Sequence, residues 1–390
     1  MKKKRLIVMG FMGSCPIAGV VWQHLHYIVG LQRLGHDVHY IEDSARVPYN
    51  PISGEQEMTL AYPEAILRKL AEEFGFAGRW AYGARYLTGE PTVGLTRKKV
   101  RQLYRDADAI LNVCGSQEFH EDLLANERIL YIESDPSLEQ VKIDQGNKST
   151  LQYLQRHHAL FTFGENVGTS EFPVPTHGLK WLPTRQPVVT DFWKTARQPK
   201  PEAVFTSVAN WNTSGLKDFT WRGETYHWSK SAEFLRFIGA PRKAGEGFEL
   251  ASDLKPPSTI RRFERHGWRL RDPHRLSGDQ RAYRNYLRSS KGEFTVAKDQ
   301  YVRLRTGWFS DRSACYLAAG RPVITQETGF TQHYGGAGGL FGFDSLADIA
   351  EAVKMVNADY RHHSRAASAL AREVFEAETV LRSLLDRAGL

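Results

Sequence analysis

A chain of 390 residues, 41% hydrophobic and 25% charged, is long enough for two domains and ordinary enough in composition to bury two cores. It contains no run of about eighteen apolar residues, which excludes a spanning helix. Its three cysteines, Cys15, Cys114 and Cys315, are too few and too scattered for a disulfide framework or a metal knuckle, so a reducing, cytoplasmic setting is expected.

Residues 5–9 read as a first parallel strand rather than a lipoprotein signal, because the apolar run is short and Pro16 follows Cys15 directly. The strand ends in Gly10, and Gly13 and Gly19 follow at a spacing that is not the dinucleotide fingerprint. Glycine lets the backbone approach a ligand, and a helix N-terminus favours negative charge. Further strand-like runs at 38–41, 109–113, 129–132 and 159–163 alternate with helical spacing at 20–34 and 62–73. That alternation predicts a parallel, doubly wound sheet.

In such a sheet, ligands sit outside the carboxyl ends of the strands. Glu133 and Glu165 follow strands directly and are candidates for a general base. Asp43 and Asp135 lie in similar places, but turn or capping roles account for them. His24, on the first helix, is a third candidate base. Residues 178–197, with Trp181-Leu-Pro183 and Pro187 and with Pro199 and Pro201 close behind, read as a linker that continues neither sheet. The expected division is a domain at 1–185, a linker at 186–202, a domain at 203–360 and a final helix at 361–390.

A second series of strand-like runs lies at 203–208, 248–251, 268–270, 294–297, 323–325 and 340–343, with helices at 345–355 and 362–388. After the first of them comes Asn210-Trp-Asn212-Thr-Ser-Gly215, then the aromatic-rich Trp221 to Lys230. The formal charge of +8 is uneven, since residues 255–305 hold fourteen Lys or Arg against five Asp or Glu. Arg261, Arg262, Arg265 and Arg281, Arg284, Arg288 recur at helical spacing, as on a solvated face. Attraction of an anionic substrate and nucleic-acid binding are the other two readings.

The most informative segment is 293–330. A buried strand leads into Lys298, Arg303 and Arg305, then a Gly307-Trp308 turn. Ser310 is a good N-cap for a helix at 311–319, which stops at Gly320 before Pro322 and another strand. On an extended segment Arg303 and Arg305 share a face. A helix N-terminus and several cations thus converge where a phosphate can sit.

Ser310, Arg312, Ala318, Gly320, Pro322 and Val323 resemble the donor-binding region of GT-B glycosyltransferases. The similarity is greatest to the family 4 group and the CgeB-like branch. It implies an α/β fold of two doubly wound Rossmann-like domains facing a central cleft, with the last helix crossing back to the first domain. It also implies transfer of a sugar from a nucleoside diphosphate sugar, a UDP-sugar in the first instance, to a hydroxyl or amine acceptor. No other cofactor and no metal are expected, because fixed cations meet the diphosphate. The donor-binding residues so implied are Gly13, Asn210, Lys298, Arg305, Ser310, Arg312 and Ser313. Alanine at Lys298 or Arg312 should then abolish donor binding and leave the fold intact. One departure is evident: the positions of the ribose-binding Glu and its upstream partner Glu are Cys315 and Gly307, and neither can hold two hydroxyls as a carboxylate does. A nucleotide-sugar epimerase of the same fold is an alternative. So is a nucleic-acid-binding or DNA-glycosylating protein. Asp106-Ala-Asp108 precedes a strand instead of following one, so it is not read as a metal-binding motif.

Overall fold

The computed structural model describes residues 2–51, 53–195, 197–212, 218–336 and 338–390. Among these, the strands form two large sheets. The first takes β1 (Arg5–Met9), β2 (Asp37–Glu42), β3 (Trp80–Gly83), β4 (Thr92–Gly94), β5 (Ala109–Val113), β6 (Ile129–Glu133), β7 (Ala159–Thr162) and β8 (Trp181–Pro183), in the order β8-β7-β6-β5-β1-β2-β3-β4. All neighbours are parallel except β3 and β4. The second takes β9 (Phe205–Val208), β10 (Phe248–Ala251), β11 (Trp268–Arg271), β12 (Gly292–Thr295), β13 (Val323–Gln326) and β14 (Leu340–Phe343), in the order β11-β10-β9-β12-β13-β14. It is parallel throughout.

Continuous apolar runs such as Leu6-Ile-Val-Met9, with no exposed surface, fit strands covered by helices on both faces. In each sheet the order reverses beside the first strand, at β1/β5 and at β9/β12. These switch points open crevices at the carboxyl edges.

Several elements depart from expectation. Trp181–Pro183 is not linker but an edge strand, pairing with Leu160, Phe161 and Thr162. Pro183 ends it, and at an edge the missing N–H leaves no ladder bond unmade. Strands β3 and β4 and a small hairpin, Phe219–Trp221 with Glu224–Tyr226, add to the expected strands. Lys298 to Arg305 is not extended, because Asp299–Arg303 forms a short helix. The Thr213-Ser-Gly215 part of the Asn210 loop lies outside the described residues.

The helices that matter for the site are α1 (Ala18–Arg33), α2 (Gln280–Ser289), α3 (Asp311–Ala318), α4 (Tyr360–Val374) and α5 (Ala377–Arg387). The expected single terminal helix is thus two. Val188 N–H donates to the Phe375 carbonyl (2.7 Å) and Ala377 N–H to the Val188 carbonyl (2.9 Å), so a bridge to residues just after the first sheet interrupts the helix. Beyond the break, α5 lies on α1. Gly30 makes that approach possible: a Cβ there would fall 2.6 Å from Leu381 Cδ1 and 2.9 Å from Ala377 Cβ.

Much of the basic stretch is engaged internally. Arg281 pairs with Glu73 (3.1 Å), Arg271 with Glu249 (2.7 Å), and Arg284 lies over the Trp22 ring (5.4 Å to its centroid). No helix among the described residues is long and apolar enough to cross a membrane.

Candidate functional site

A cavity of about 460 Å³ lies where the carboxyl edges of the two sheets meet. Phe11 reaches it from just beyond β1, Asp135 from beyond β6, Asn210 from beyond β9 and Lys298 from beyond β12. Helix α1 adds Gly19, Gln23 and His26, and the start of α3 adds Ser310, Asp311 and Arg312. A site at both switch points is what parallel sheets predispose.

Gly307 sets the turn before α3. It has φ +72°, and a Cβ on it would fall 2.9 Å from Asn166 N, so both conformation and space require glycine. The next residue, Trp308, lines the cavity and donates its indole N–H to the Ser134 carbonyl (2.8 Å), tying the second half to the first.

Three cations face this space. Lys298 pairs with Asp135, and its ammonium stands 4.0 Å above the Trp228 ring. Arg312 is engaged by Glu293, the Val208 carbonyl and the Thr295 hydroxyl (2.8 Å). Burial opposes its charge, but Glu293 holds the guanidinium above its ordinary range. Lys230, 5.7 Å from the Trp308 ring centroid, makes no ion pair among the described residues. Burial, followed by the neighbouring Arg312 and Lys298 charges, pushes its ammonium well below its usual range.

Two carboxyls share the cavity. Burial alone would raise Asp135, but Lys298 and hydrogen bonds from Lys298, Tyr301 and Ser134 hold it below the usual carboxylate range. Asp311 is the reverse case. Burial pushes it up to about 7, helped by the Asp135 charge. Among the described residues no group of three or more His, Cys, Asp or Glu is arranged to hold a metal ion.

Of the residues singled out from sequence, Asn210, Lys298, Ser310 and Arg312 line the cavity. Ser310 occupies the N-cap position, although its side chain makes no cap bond. Gly13, Arg305, Ser313, His24, Glu133 and Glu165 do not line it. Gly13 and Ser14 N–H donate to Glu42 (2.8 and 2.7 Å), so those loop amides are spent on a buried carboxylate of the protein itself. Gly19, the other glycine of that loop, does line the cavity. Arg305 points to the surface and pairs with Glu171 (3.1 Å), while Arg303 pairs with Glu224 and Asp299. Arg303 ends the short helix and Arg305 follows it in a turn at φ +46°, and neither lines the cavity. Ser313 is fully buried on α3.

The three expected bases fail on placement. His24 has no exposed surface, its Nδ1 lies 2.8 Å from the Val20 carbonyl, and burial drives it down to about 4. It occupies the space left by the missing side chain of Gly10. Glu165 is held by Arg185 (2.9 and 3.3 Å) in a separate surface depression. Glu133 is buried under Gln140 and Thr162, and burial raises it to about 8.

That value has a consequence for stability. A carboxyl raised from about 4.3 when unfolded to about 8 when folded stabilises fully below the lower value, and its contribution is lost as pH rises towards the upper one. Denaturant unfolding at pH 5.5 and 8.5 should show Glu133→Gln losing less stability than the parent, by roughly 1.4 kcal/mol per unit within that window. Equal slopes would show that Glu133 does not titrate there.

Sequence reading missed Asp311, Lys230 and His26, and ranked Asp135 below Glu133. An Asp in the first turn of a helix reads as a complement to the dipole. One lysine after an aromatic-rich loop carries no mark of its own. For Asp135 the signal was present, two residues past a strand end, where the alternation of β6 turns Glu133 into the protein instead. Cys315 does line the cavity, with its Sγ 3.8 Å from His26 Nε2, whereas Gly307 packs on Asn166.

Comparison with solved structures settles the architecture. An alpha-glucosyltransferase in complex with UDP matches at TM-score 0.57 and 11% identity, over 100% of both chains. AviGT4, a glycosyltransferase involved in avilamycin A biosynthesis, matches at 0.56 and 12%, over 99% of this chain and 97% of its own. The fold is GT-B. Anabaena Alr3699/HepE in complex with UDP matches at 0.53 and 11%, over 99% of both chains. No protein-family model and no curated protein sequence matches the chain. In GT-B terms, the cation-lined cavity occupies the central cleft.

Proposed function

We propose that the protein is a glycosyltransferase of the family 4-like, CgeB-like branch that moves a sugar from a UDP-sugar to a hydroxyl or amine acceptor. The observation that carries this reading is the cavity itself, where Lys230 stands half-buried beside two other cations and makes no ion pair among the described residues. A half-buried, unpaired ammonium among like charges is costly, and a diphosphate supplies the missing anion. UDP is favoured because several structures of this fold hold it. We divide the chain into a first domain at 1–185, a linker at 186–202, a donor domain at 203–360 and a returning segment at 361–390. The cytoplasm suits its three free cysteines.

As the sugar–phosphate bond breaks, its electron pair goes to the diphosphate. Lys230 and Lys298 meet that charge, and Arg312, held by Glu293, adds a fixed positive field. Donors already in place at the point where charge develops are the largest catalytic term in many enzymes. Asp135 takes the role that Glu133, Glu165 and His24 cannot, because it alone of these faces the reacting space. A bound diphosphate competes for Lys298. As Lys298 turns to it, Asp135 loses the cation that holds it ionised and becomes a better base for the acceptor proton.

Similar structures also hold DNA. Here the arginines engaged with Glu73, Glu249 and Trp22 leave less of the basic stretch free for a phosphate backbone.

The test is calorimetric titration with UDP, dTDP, GDP and ADP, followed by turnover of the matching sugar nucleotide. One nucleotide should bind. Asp135→Asn should keep that binding while turnover falls by about 10²–10⁴-fold. Absence of binding by all four would sink the reading, and undiminished turnover would remove Asp135 from its role.

A further inference from the structure

Resting on the nucleotide-binding reading above, we propose that Asp311 meets the diphosphate as a neutral carboxylic acid: it binds the nucleotide with its proton on and passes that proton to the leaving phosphate oxygen.

The placement argues for this. Asp311 opens α3 and lines the same cavity as Lys230, Lys298 and Arg312, so a diphosphate held by those cations is its neighbour. An Asp at a helix start ordinarily stays ionised, favoured by the dipole and by an adjacent cation. Here the adjacent cation is committed elsewhere. The Arg312 guanidinium is turned onto Glu293, Val208 and Thr295, and Asp311 makes no ion pair among the described residues. Its carboxyl accepts from its own backbone N–H and, at a long 3.5 Å, from Gln23 Nε2.

The groups around it add little positive charge. From the first half, Asp135 opposes its ionisation, and the Tyr27 and Cys114 groups near it are neutral. From the second half, Tyr301 and Cys315 are also neutral, and Arg312 gives the one favourable charge. A diphosphate then brings more negative charge against two carboxyls already sharing the space. The arrangement that avoids three mutually repelling anions keeps the proton on Asp311, where its O–H donates to a phosphate oxygen. Burial that already lifts this carboxyl to about 7 brings the proton within reach at neutral pH.

The step balances. The bond from the anomeric carbon to the phosphate oxygen breaks, and its electron pair stays on that oxygen, which takes the Asp311 proton. The acceptor oxygen bonds to the anomeric carbon and releases its own proton to Asp135. Asp311 is left ionised and Asp135 protonated. Exchange with solvent after product release restores both. The pair thus divides acid and base work between two carboxyls whose surroundings drive them in opposite directions.

The experiment is UDP titration of the full chain and of Asp311→Asn, by calorimetry in two buffers of different ionisation enthalpy, at pH 6 and pH 8. Because Asn keeps the size and a donor, the variant should fold and bind UDP, which its melting temperature and stoichiometry verify. With a free-state value near 7, the parent should take up about 0.9 proton more than the variant per UDP at pH 8, and about 0.1 more at pH 6. Turnover of the variant should fall about a hundredfold with KM little changed. Equal proton uptake by both proteins at pH 8, with UDP bound, overturns the role of Asp311 and leaves the nucleotide reading standing. If neither UDP nor the other three nucleotides binds the parent at either pH, both fall together.

Discussion

Lys230→Ala is expected to weaken UDP binding about a hundredfold while leaving the melting temperature unchanged or higher. The two effects have one cause. Without ligand, the half-buried Lys230 ammonium stands near Arg312 and Lys298, and its charge is disfavoured by lost hydration and by both neighbours, offset in part by Glu293 and Asp135. Truncation removes that repulsion, so the free protein loses no ion pair. With ligand, a charge-assisted hydrogen bond to phosphate is lost, together with the desolvated Coulomb attraction behind it. A bond to a charged group is worth about 1.5–3 kcal/mol, and about 2.7 kcal/mol corresponds to a hundredfold in Kd. Calorimetry with UDP and a thermal melt of the free protein measure both halves. A melting temperature several degrees lower with affinity retained would make Lys230 a structural residue.

Arg312→Ala should behave in the opposite way, with the fold itself failing. Glu293 has no exposed surface, and Arg312 is its charge partner. Removing the arginine leaves a buried carboxylate without its salt-bridge partner, with only the more distant Lys230 as a positive neighbour. Breaking a buried pair from one side costs about 3–5 kcal/mol. That is a large part of the stability of a natural protein, so the variant should melt much lower or be recovered unfolded. The intact fold expected from sequence for this change is therefore revised, because sequence did not reveal that the guanidinium faces a buried acid. A second variant separates the roles. Glu293→Gln combined with Arg312→Met removes both charges and fills similar volume, so it should recover most of the melting temperature. Binding of UDP should stay weakened, since the positive field is gone. Full recovery of binding in the double variant would show that Arg312 serves the fold alone.

Lys298 lies between these cases. It lines the cavity as its sequence suggested, yet it is already paired with Asp135 and stacked over Trp228. A ligand must compete for it, whereas Lys230 is free to respond.

What the amino-acid order determined by itself was the architecture and one flank of the cleft. Alternating apolar runs and helical spacing marked most strands of both sheets. The Ser310 cap and the stop at Gly320 placed α3 to within a residue. These signals are local: strand period, capping and turn chemistry act over a few residues and are written there. Short edge strands such as Trp181–Pro183 escaped because three residues carry little periodicity and proline argued against them. The chemistry of the cleft was decided by tertiary structure. Asp135 and Lys298 are 163 positions apart, and Arg312 meets Glu293 across neighbouring elements. Which strand-end acid faces the cavity, and which turns inward as Glu133 does, depends on side-chain direction and on the helices packed above. Cations look alike in a sequence. Only their burial and their partners separate Lys230, which lacks a counter-ion, from Arg312, which holds one, and from Arg305, which stands at the surface.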